Sequence, residues 1–367
     1  MKHVLVDGSR IVIEAMARAG ADAFIGYPVT PANLLYQYAG KRFPFMLSAT
    51  DEITVLQWMS GLSACGRIPV TATSFPGLAL MVESINMAFM MELPMVIILV
   101  QRLGPATGTA TCGAQGDIAL TGSLISGGHR LPVVCPSDFV DCWKLGALAV
   151  TLAAGLRSPV LFLTSREMMM TVRSFNIGQL DEIIPVKRSF YDGYGPYEPY
   201  SPAGNGIPAF LPVTSRRWQV RLNASTHDEK GILQHSTPGA LENTRRLEQK
   251  AISSLPEYTF FDLDEQDKAG TIIMSYGVSA AAAKDAAASI RESGKKVSLL
   301  IAKTLFPVPA IYYDIIERYE KVVVVEENIN AQYARILYGD RLPEKIKVTG
   351  SLGTMVGKDE IIQSAIS

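Results

Sequence analysis

Short apolar runs alternate with helical segments along the first half of the chain. The segment "RIVIEAMARAGAD" has an apolar stripe at helical spacing, which Ser9 can cap and Gly20 ends. The runs "AFIGY", "PFMLSAT", "IPVTATS" and "PMVIILV" are almost wholly apolar, and helices are predicted between them. Such strands are typical of a parallel sheet covered on both faces. The pattern therefore predicts an α/β domain that continues through "LPVVCPS", a helix from Asp138 and the strand "SPVLFLTS".

The alternation stops in the middle of the chain and returns toward its end. Residues 186–260 carry turn signals and are rich in Tyr, Pro and Gly, as in "YDGYGPYEPYSPAGNGIPAFLP". A structureless loop of this length is unusual inside a compact domain, so the segment is interpreted as an extended arm laid over the protein or a neighbouring subunit. Strands such as "GTIIMSYG", "KVSLLIA" and "KVVVVEEN" then alternate with helices. The chain is predicted to divide into an α/β domain (1–185), the arm (186–260) and a smaller α/β domain (261–367).

Length and charge narrow the functional classes. The chain has 367 residues, enough for two domains, and its 34 basic residues nearly balance 35 acidic ones. Nucleic acids and anionic membranes attract clustered positive charge, which this sequence lacks, so neither is an expected partner. No apolar stretch reaches the roughly 20 residues of a membrane-spanning helix. The start "MKHVLVDGSR" does not look like a signal peptide, so we expect a cytoplasmic protein.

The motifs give no support for metal or nucleotide binding. The four cysteines form no Cys-x-x-Cys pair and no ferredoxin-type run. His129 lies in a glycine-rich turn, where a histidine satisfied by the backbone is more common than a general base. His227 and His235 have no partners at metal spacing. No phosphate-binding Gly-x-x-x-x-Gly-Lys loop is present either. The chain is expected to hold no metal of its own.

The segment Tyr27–Pro31 follows the predicted strand "AFIGY", at the sheet edge where α/β proteins bind ligands. Its two prolines each fix their own φ and push the preceding residue toward extended conformations. Thr30 is therefore held with little freedom. Its hydroxyl is available either to a ligand or to cap the following helix, and from spacing alone capping is the more ordinary role.

Two further polar positions follow neighbouring predicted strands. Asp51 and Glu52 open an apolar helix, where a carboxylate ordinarily acts as a cap but can also hold a proton if it is drawn into a low-dielectric interface. Arg102 follows "PMVIILVQ" and precedes a Gly/Thr-rich loop. An arginine can bind a carboxylate through two parallel hydrogen bonds, although a loop salt bridge is its common alternative.

The order of these motifs resembles that of one enzyme family. "GYPVTP", "DEI", "TATSFPGLALMVESI", "ELPMVIILVQR", "GPATGT" and "QGD" are followed by "GGHRLPVVCPS", "PAFLP", "HDEKG", "LFPVP" and "VVVVEENINAQ". Over nearly the whole chain they resemble the α subunit of the 2-oxoacid:ferredoxin oxidoreductases, especially the 2-oxoglutarate and 2-oxoisovalerate branches. The resemblance implies a thiamine diphosphate pyrimidine-binding-type parallel-sheet domain and a smaller transketolase C-terminal-like α/β domain.

The resemblance also assigns roles to the candidate residues. Glu52 matches the glutamate that hydrogen-bonds the pyrimidine ring of thiamine diphosphate and promotes its imino tautomer. Thr30 matches a threonine beside the cofactor and the substrate, and Tyr27 and Pro28 of the same motif are expected to contact the cofactor. Arg102 matches the arginine expected to bind the carboxylate of the 2-oxoacid. On this basis the prolines hold Thr30 at the reacting centre.

Several partners are implied by the same resemblance. Thiamine enzymes bind the diphosphate through Mg²⁺ with a Gly-Asp-Gly motif and a following asparagine, and "QGDIA" and "YGDRL" do not fit this pattern. A β subunit is expected to supply the Mg²⁺ site and a 4Fe-4S cluster. Coenzyme A, a γ subunit, and a ferredoxin or ferredoxin-like subunit complete the expected system. The expected reaction is oxidative decarboxylation of a 2-oxoacid to an acyl-CoA with release of CO₂.

Two departures from the family pattern bear on the substrate. Cys112 stands where the 2-oxoglutarate branch commonly has a lysine, and Leu103 replaces a frequent glycine. A second substrate carboxylate would be costly to bury without a cation, so both favour a branched or aromatic 2-oxoacid such as 2-oxoisovalerate or phenylglyoxylate. Two alternatives stay open: a non-redox thiamine-dependent decarboxylase or transketolase-like half, and a non-catalytic scaffold subunit of such a complex.

Overall fold

The computed structural model describes residues 2–367. Its strands are β1 His3–Val6, β2 Ala23–Gly26, β3 Met46–Ser48, β4 Pro69–Thr73, β5 Met95–Gln101, β6 Val133–Val134, β7 Pro159–Ser165, β8 Arg173–Asn176, β9 Phe261–Asp264, β10 Thr271–Tyr276, β11 Ser298–Ala302, β12 Thr304–Phe306, β13 Lys321–Val325 and β14 Ile346–Thr349. Its α-helices are α1 Gly8–Arg18, α2 Asn33–Arg42, α3 Glu52–Ala64, α4 Phe75–Met90, α5 Ile118–Thr121, α6 Phe139–Leu156, α7 Arg166–Met170, α8 Pro238–Ser253, α9 Ala280–Glu292, α10 Ala310–Ile316, α11 Gln332–Tyr338 and α12 Lys358–Ile366.

The first unit, residues 2–185, is built on a sheet of strand order β12-β6-β7-β5-β4-β2-β3. The six strands that the first unit contributes to this sheet are parallel, while β12 comes from the second unit and pairs antiparallel with β6; β1 and β8 form a separate antiparallel pair. Every residue of β2, β4, β5 and β7 is buried, because α1, α2 and α6 cover one face and α3 and α4 the other. This arrangement confirms the predicted parallel α/β domain.

The second unit, residues 261–367, contains a smaller sheet of order β14-β13-β10-β11-β9. Strands β10, β11, β13 and β14 are parallel, and β9 is antiparallel to β11. Helices α9 and α12 pack on one face of this sheet and α10 and α11 on the other. One hydrophobic cluster runs from α3 and α4 of the first unit to α10 and α11 of the second, so the two units share a core.

Two sequence predictions about helices need correction. Asp7, not Ser9, caps α1: its carboxylate accepts a hydrogen bond from Arg10 N at 3.0 Å. Ser9 lies inside the helix, and its hydroxyl donates to the carbonyl of Met169.

The segment predicted as an extended arm is irregular only over residues 186–237, after which α8 forms. Helix α8 has Pro at its start and buries side chains at helical spacing against the first unit.

Helix α6 is the one helix in residues 2–367 that is long and apolar enough to cross a membrane by length and composition alone. Most of it is buried inside the protein, where it packs against α1 and β7. Its apolar character is therefore that of a core helix.

Candidate active site

The sequence-predicted residues lie at the carboxyl ends of three strands within a row of four neighbouring strands. Strands β5, β4, β2 and β3 lie side by side and are parallel, so their ends meet at one edge of the first sheet. Thr30 follows β2, Glu52 begins the helix after β3, and Arg102 follows β5. The Arg102 guanidinium crosses this edge and donates from Nη1 to the backbone carbonyl of Thr30 at 2.5 Å. The structure therefore brings Thr30 and Arg102 into direct contact.

Glu52 is buried, with 8% of its surface exposed, although it begins a helix. The capping role belongs to Asp51, whose carboxylate accepts a hydrogen bond from Thr54 N at 2.8 Å. Within residues 2–367 the Glu52 carboxylate makes no hydrogen bond, and it lies against the first turn of α4. A Cβ atom at Gly77 would stand 2.7 Å from Glu52 Oε1 and 2.1 Å from Thr73 Oγ1. The absence of a side chain at Gly77 makes room for the Glu52 carboxylate.

Thr30 does not cap the helix that follows it. The N-cap of α2 is Ala32, which provides no side-chain hydrogen bond, and in the described chain the Thr30 hydroxyl has no hydrogen-bond partner. Thr30 is half-buried, whereas Tyr27 and Pro28 lie exposed on the rim of the same edge. The Thr30 hydroxyl is therefore available to a ligand, while the expected cofactor contacts of Tyr27 and Pro28 stay a prediction.

Arg102 lies close to a buried acid that the sequence did not identify as a site residue. Arg102 is 7% exposed, and its Nε has no hydrogen-bond partner. Asp117 is 8% exposed, and its Oδ2 also lacks a partner. Burial raises the pKa of Asp117 to about 7, although the positive charge of Arg102 lowers it in part. A buried guanidinium with unused donors is suited to bind a carboxylate.

A second arginine occupies the equivalent place on the next strand. Gln101, the last residue of β5, pairs with Ser165, the last residue of β7, so Arg102 and Arg166 are one residue beyond paired positions. The Arg166 Nε is buried without a partner, and its Nη1 lies 3.6 Å from Glu167 Oε1. The sequence carried a signal for Arg166, because it follows the apolar strand "PVLFLTS" directly.

The two departures noted in the sequence both contact the second unit. Cys112 Sγ donates to the carbonyl of Gly353 at 3.0 Å, and a Cβ at Gly353 would lie 3.4 Å from Leu103 Cδ2. Within residues 2–367, no group of three or more His, Cys, Asp or Glu side chains could hold a metal ion. His129 Nδ1 lies 3.4 Å from Glu248, and His227 is buried in the arm.

Helices α3 and α4, whose first turns adjoin Glu52, carry several exposed apolar side chains. Ile53 and Trp58 on α3 are 43% and 41% exposed, and Leu80 and Met87 on α4 are 50% and 40% exposed. We call these four residues the α3–α4 face. Large exposed apolar side chains on two helices that pack together are typical of a surface that another chain covers.

Comparison with known proteins identifies the family. The model of the thiamine diphosphate-binding domain of the pyruvate flavodoxin/ferredoxin oxidoreductases matches residues 14–245. The model of core domain II of pyruvate:ferredoxin oxidoreductase matches residues 269–347. The first match spans more than half of the chain, so the chain belongs to the pyruvate flavodoxin/ferredoxin oxidoreductase family, as the sequence motifs predicted.

Individual relatives agree with this assignment. The chain is 27% identical to the 2-oxoglutarate synthase subunit KorA of Methanocaldococcus jannaschii, over 100% of both chains. It is 29% identical to the ketoisovalerate oxidoreductase subunit VorB of Methanothermobacter thermautotrophicus, over 84% of this chain and 82% of that protein. Both are subunits of 2-oxoacid oxidoreductases, and their substrates differ.

Solved structures support the fold. A 2-oxoglutarate:ferredoxin oxidoreductase from Magnetococcus marinus, with 2-oxoglutarate, coenzyme A and succinyl-CoA bound, superimposes with a TM-score of 0.91 at 26% identity. The match covers 98% of this chain, which spans only 64% of that one. A split-gene transketolase, an inactive β4 tetramer, is 13% identical with a TM-score of 0.54 and shares the fold alone.

The residues at the sheet edge fit the pyrimidine end of thiamine diphosphate. Glu52 offers a carboxylate without a protein partner, in a recess that a Cβ at Gly77 would fill. A carboxylate in such a place can share a proton with a ring nitrogen. The observed side chains therefore fit the pyrimidine end of the cofactor.

Proposed function

We propose that this chain is the α subunit of a complex that converts a 2-oxoacid and coenzyme A to an acyl-CoA, CO₂ and a proton, and passes the two electrons released to two one-electron equivalents of oxidised ferredoxin. The observation that carries this proposal is the buried, unpartnered Glu52 at the same sheet edge as the Arg102–Thr30 contact. The names of the relatives support the class of substrate, and the bound coenzyme A in the Magnetococcus marinus structure supports the acyl acceptor.

Each residue has a distinct task in this proposal. Thiamine diphosphate, when bound, supplies the carbon nucleophile that adds to the ketone of the substrate. Glu52 would hydrogen-bond a ring nitrogen of the cofactor, because its carboxylate lies in the recess beside Gly77 and accepts no hydrogen bond from the described protein. Arg102 binds the substrate carboxylate through its unused donors, and its bond to the Thr30 carbonyl fixes the guanidinium. The Thr30 hydroxyl lies free to orient the substrate beside them.

The partner would complete the cofactor site from the other side. We place a β subunit on the α3–α4 face, because this apolar surface adjoins the recess of Glu52. The β subunit would supply the Mg²⁺ and diphosphate site together with a 4Fe-4S cluster. A γ subunit and a ferredoxin, or a ferredoxin-like subunit, are further proposed members, and the cytoplasmic location stays a prediction.

Two substrate classes have support from different residues. A branched or aromatic 2-oxoacid is favoured by the apolar Leu103 and by Cys112, whose thiol is engaged with Gly353 and carries no cation to the site. A dicarboxylic acid such as 2-oxoglutarate is favoured by Arg166, which provides a second guanidinium one strand away from Arg102. Relatives with each kind of substrate are known, so the names of the relatives do not choose between the two classes.

The experiment that tests the function begins with the native complex. The chain is co-purified with its partners and assayed for reduction of a viologen dye with and without coenzyme A, using 2-oxoglutarate, 2-oxoisovalerate, phenylglyoxylate and pyruvate. We expect coenzyme A-dependent reduction together with the visible absorbance of an iron–sulfur cluster. An active but colourless complex would indicate a non-redox thiamine enzyme. A thiamine-containing complex that is inactive with every 2-oxoacid would support the scaffold alternative.

A further inference from the structure

The two ends of the loop between Arg102 and Asp117 are joined by a hydrogen bond, and the loop contacts both units. Its ends meet because Asp117 N donates to the side-chain Oε1 of Gln101 at 3.2 Å. Its middle is held by a hydrogen bond from Leu103 N to the carbonyl of Cys112 at 2.8 Å. The position of Asp117 therefore depends on how the last residues of this loop are anchored.

Gln115 is the main anchor, and the hydrogen bonds of its side chain all go to the second unit. The residue is 1% exposed. Its Nε2 donates to the carbonyl of Tyr276 at 2.8 Å, and its Oε1 accepts from Glu327 N at 2.9 Å and from the Ser279 hydroxyl at 3.1 Å. Its backbone N–H donates to the carbonyl of Glu327 at 2.8 Å. The side chain thus joins the ends of β10 and β13 to the loop.

The second unit is shaped to receive a carboxamide at this point. Gly277 has φ +59°, and a Cβ there would stand 2.9 Å from Gln115 Nε2, so the backbone of β10 can approach only because residue 277 is glycine. On the far side of the loop end, Gln332 donates to the carbonyl of Gly116 at 2.9 Å and accepts from Ala119 N at 3.1 Å. Two glutamine side chains therefore clamp the segment that contains Asp117.

We propose that Gln115 is a positioning residue for the reaction: by fixing the loop end on the second unit, it keeps Asp117 N bonded to the side chain of Gln101 and so holds the neighbouring Arg102 aligned for the substrate carboxylate. The inference rests on the proposed function for Arg102. It gives the second unit a task in substrate binding, because a shift of the ends of β10 and β13 is passed to Asp117 through two residues of chain. A small displacement of a carboxylate clamp is costly for binding.

The alternative is that Gln115 merely joins two units, and a matched pair of variants separates the two roles. Gln115→Met keeps the length of the side chain and removes its hydrogen bonds. Lys303→Met removes another link between the units, because Lys303 Nζ contacts Asp141 at 2.7 Å and Asp262 at 2.6 Å without touching the loop. Both are made in the complete complex. Amide hydrogen exchange of residues 103–117 and the KM for the preferred 2-oxoacid are measured.

If Gln115 positions the loop, Gln115→Met raises the KM for the 2-oxoacid about 10- to 100-fold with a smaller change in kcat. The KM for coenzyme A stays unchanged, and exchange of residues 103–117 accelerates. Lys303→Met lowers the melting temperature and leaves both measurements near wild type. Should Gln115→Met fail to assemble, Gln115→Glu, which keeps the acceptor oxygen, is used with the same measurements.

Unchanged exchange in the loop, or equal effects of the two variants, would overturn the positioning role. Amide hydrogen exchange of residues 103–117 can be measured even in a complex that turns over no 2-oxoacid. A wild-type complex without activity would therefore contradict the proposed function, and exchange alone would still decide whether Gln115 anchors the loop.

Discussion

Glu52 is a carboxylate that the fold buries without giving it a hydrogen-bond partner, so its substitution should affect chemistry more than folding. Glu52→Gln keeps the shape but cannot exchange a proton with a ring nitrogen. We expect turnover of 2-oxoacids to fall about 10²- to 10⁴-fold in the reconstituted complex. Asp51→Asn is the control, because Asp51 caps the same helix and lies next in sequence. Full activity of Glu52→Gln would remove the central residue from the mechanism.

Arg166 allows the two substrate classes to be separated at one position. If its guanidinium binds a second carboxylate, Arg166→Gln should raise the KM for 2-oxoglutarate about tenfold or more, which corresponds to about 1.4 kcal/mol. The KM for 2-oxoisovalerate, which has no second carboxylate, should change by less than about twofold. Arg245→Gln, on the exposed side of α8, is the matched control. If Arg166→Gln leaves the KM for 2-oxoglutarate at its wild-type value, Arg166 does not bind a second carboxylate, and the branched or aromatic class is favoured.

Glu327 makes the contact between the units sensitive to pH. Burial raises its pKa to about 7, the backbone N–H of Val356 lowers it in part, and the negative charge of Glu167 adds to the rise. The folded state therefore holds this proton more tightly than the unfolded chain does. This contribution to stability is complete below the ordinary pKa of a glutamic acid and is lost as the pH rises through about 7. Its loss between these two pH values lowers the free energy of unfolding by about 3 kcal/mol.

Glu327→Gln should remove this part of the pH dependence. We expect the free energy of unfolding, measured with urea at about pH 5 and about pH 8, to decline less in the variant than in wild type. Burial raises the pKa of Asp117 as well, so some decline should persist. Glu344→Gln, at an exposed position, serves as control. The same decline in Glu327→Gln as in wild type would show that Glu327 does not titrate in this range.

At the scale of elements, α3 and α4 combine a catalytic candidate at one end with an apolar outer surface. Trp58 and Leu80 are large, and each gains free energy when a partner removes it from water. Trp58→Glu should therefore reduce assembly with the β subunit at least about tenfold, since it places a charge in a desolvated contact. Co-purification yield and analytical ultracentrifugation measure this effect.

The control for Trp58 is Ile311→Glu, because Ile311 has a similar exposure, 39%, on the second unit. Its variant should assemble normally. If both variants assemble like wild type, the α3–α4 face does not contact the β subunit.

The sequence predicted elements well where one local rule decides them. The buried strands and the helices between them follow from apolar runs and spacing, and the predicted α/β class is confirmed. The cap of α1 was wrong because Asp7 and Ser9 are both good caps, and only the contact of Ser9 with Met169 decides between them. Helix α8 was missed because the Pro- and Gly-rich stretch before it dominated the composition of the arm.

The sequence selected candidate residues of the site one by one but not the geometry that relates them. Glu52, Thr30 and Arg102 could be selected because each follows a strand, yet their contacts depend on the order β5-β4-β2-β3, which no spacing along the chain reveals. Asp117 and Gln115 were missed for a related reason. Gln115 bonds to the second unit, 161 residues away in sequence, and Asp117 is brought back to Gln101 only when the loop between them closes.

For the whole molecule, the arm is tied to the first unit by a buried charge cluster that the sequence did not predict. Glu92, at the end of α4, is fully buried and forms ion pairs with Arg246 and, at 2.6 Å, with Lys250, both from α8. Burial alone would raise the pKa of Glu92, but Lys250, Arg246 and Arg157 lower it to about 2. Its contribution to stability is therefore present at neutral pH and is lost only as the pH falls toward about 2.

Glu92→Gln should consequently destabilise the whole protein, because it leaves two buried cations without their anion. We expect the free energy of unfolding at neutral pH to fall by about 3 to 5 kcal/mol in urea denaturation. Glu242→Gln is the matched control: it removes an exposed partner of Arg245 on the same helix and should cost at most about 1 kcal/mol. Limited proteolysis should cut residues 186–237 faster in Glu92→Gln, since α8 then detaches more readily. Equal stability of the two variants would show that the arm is held by its apolar contacts and not by this cluster.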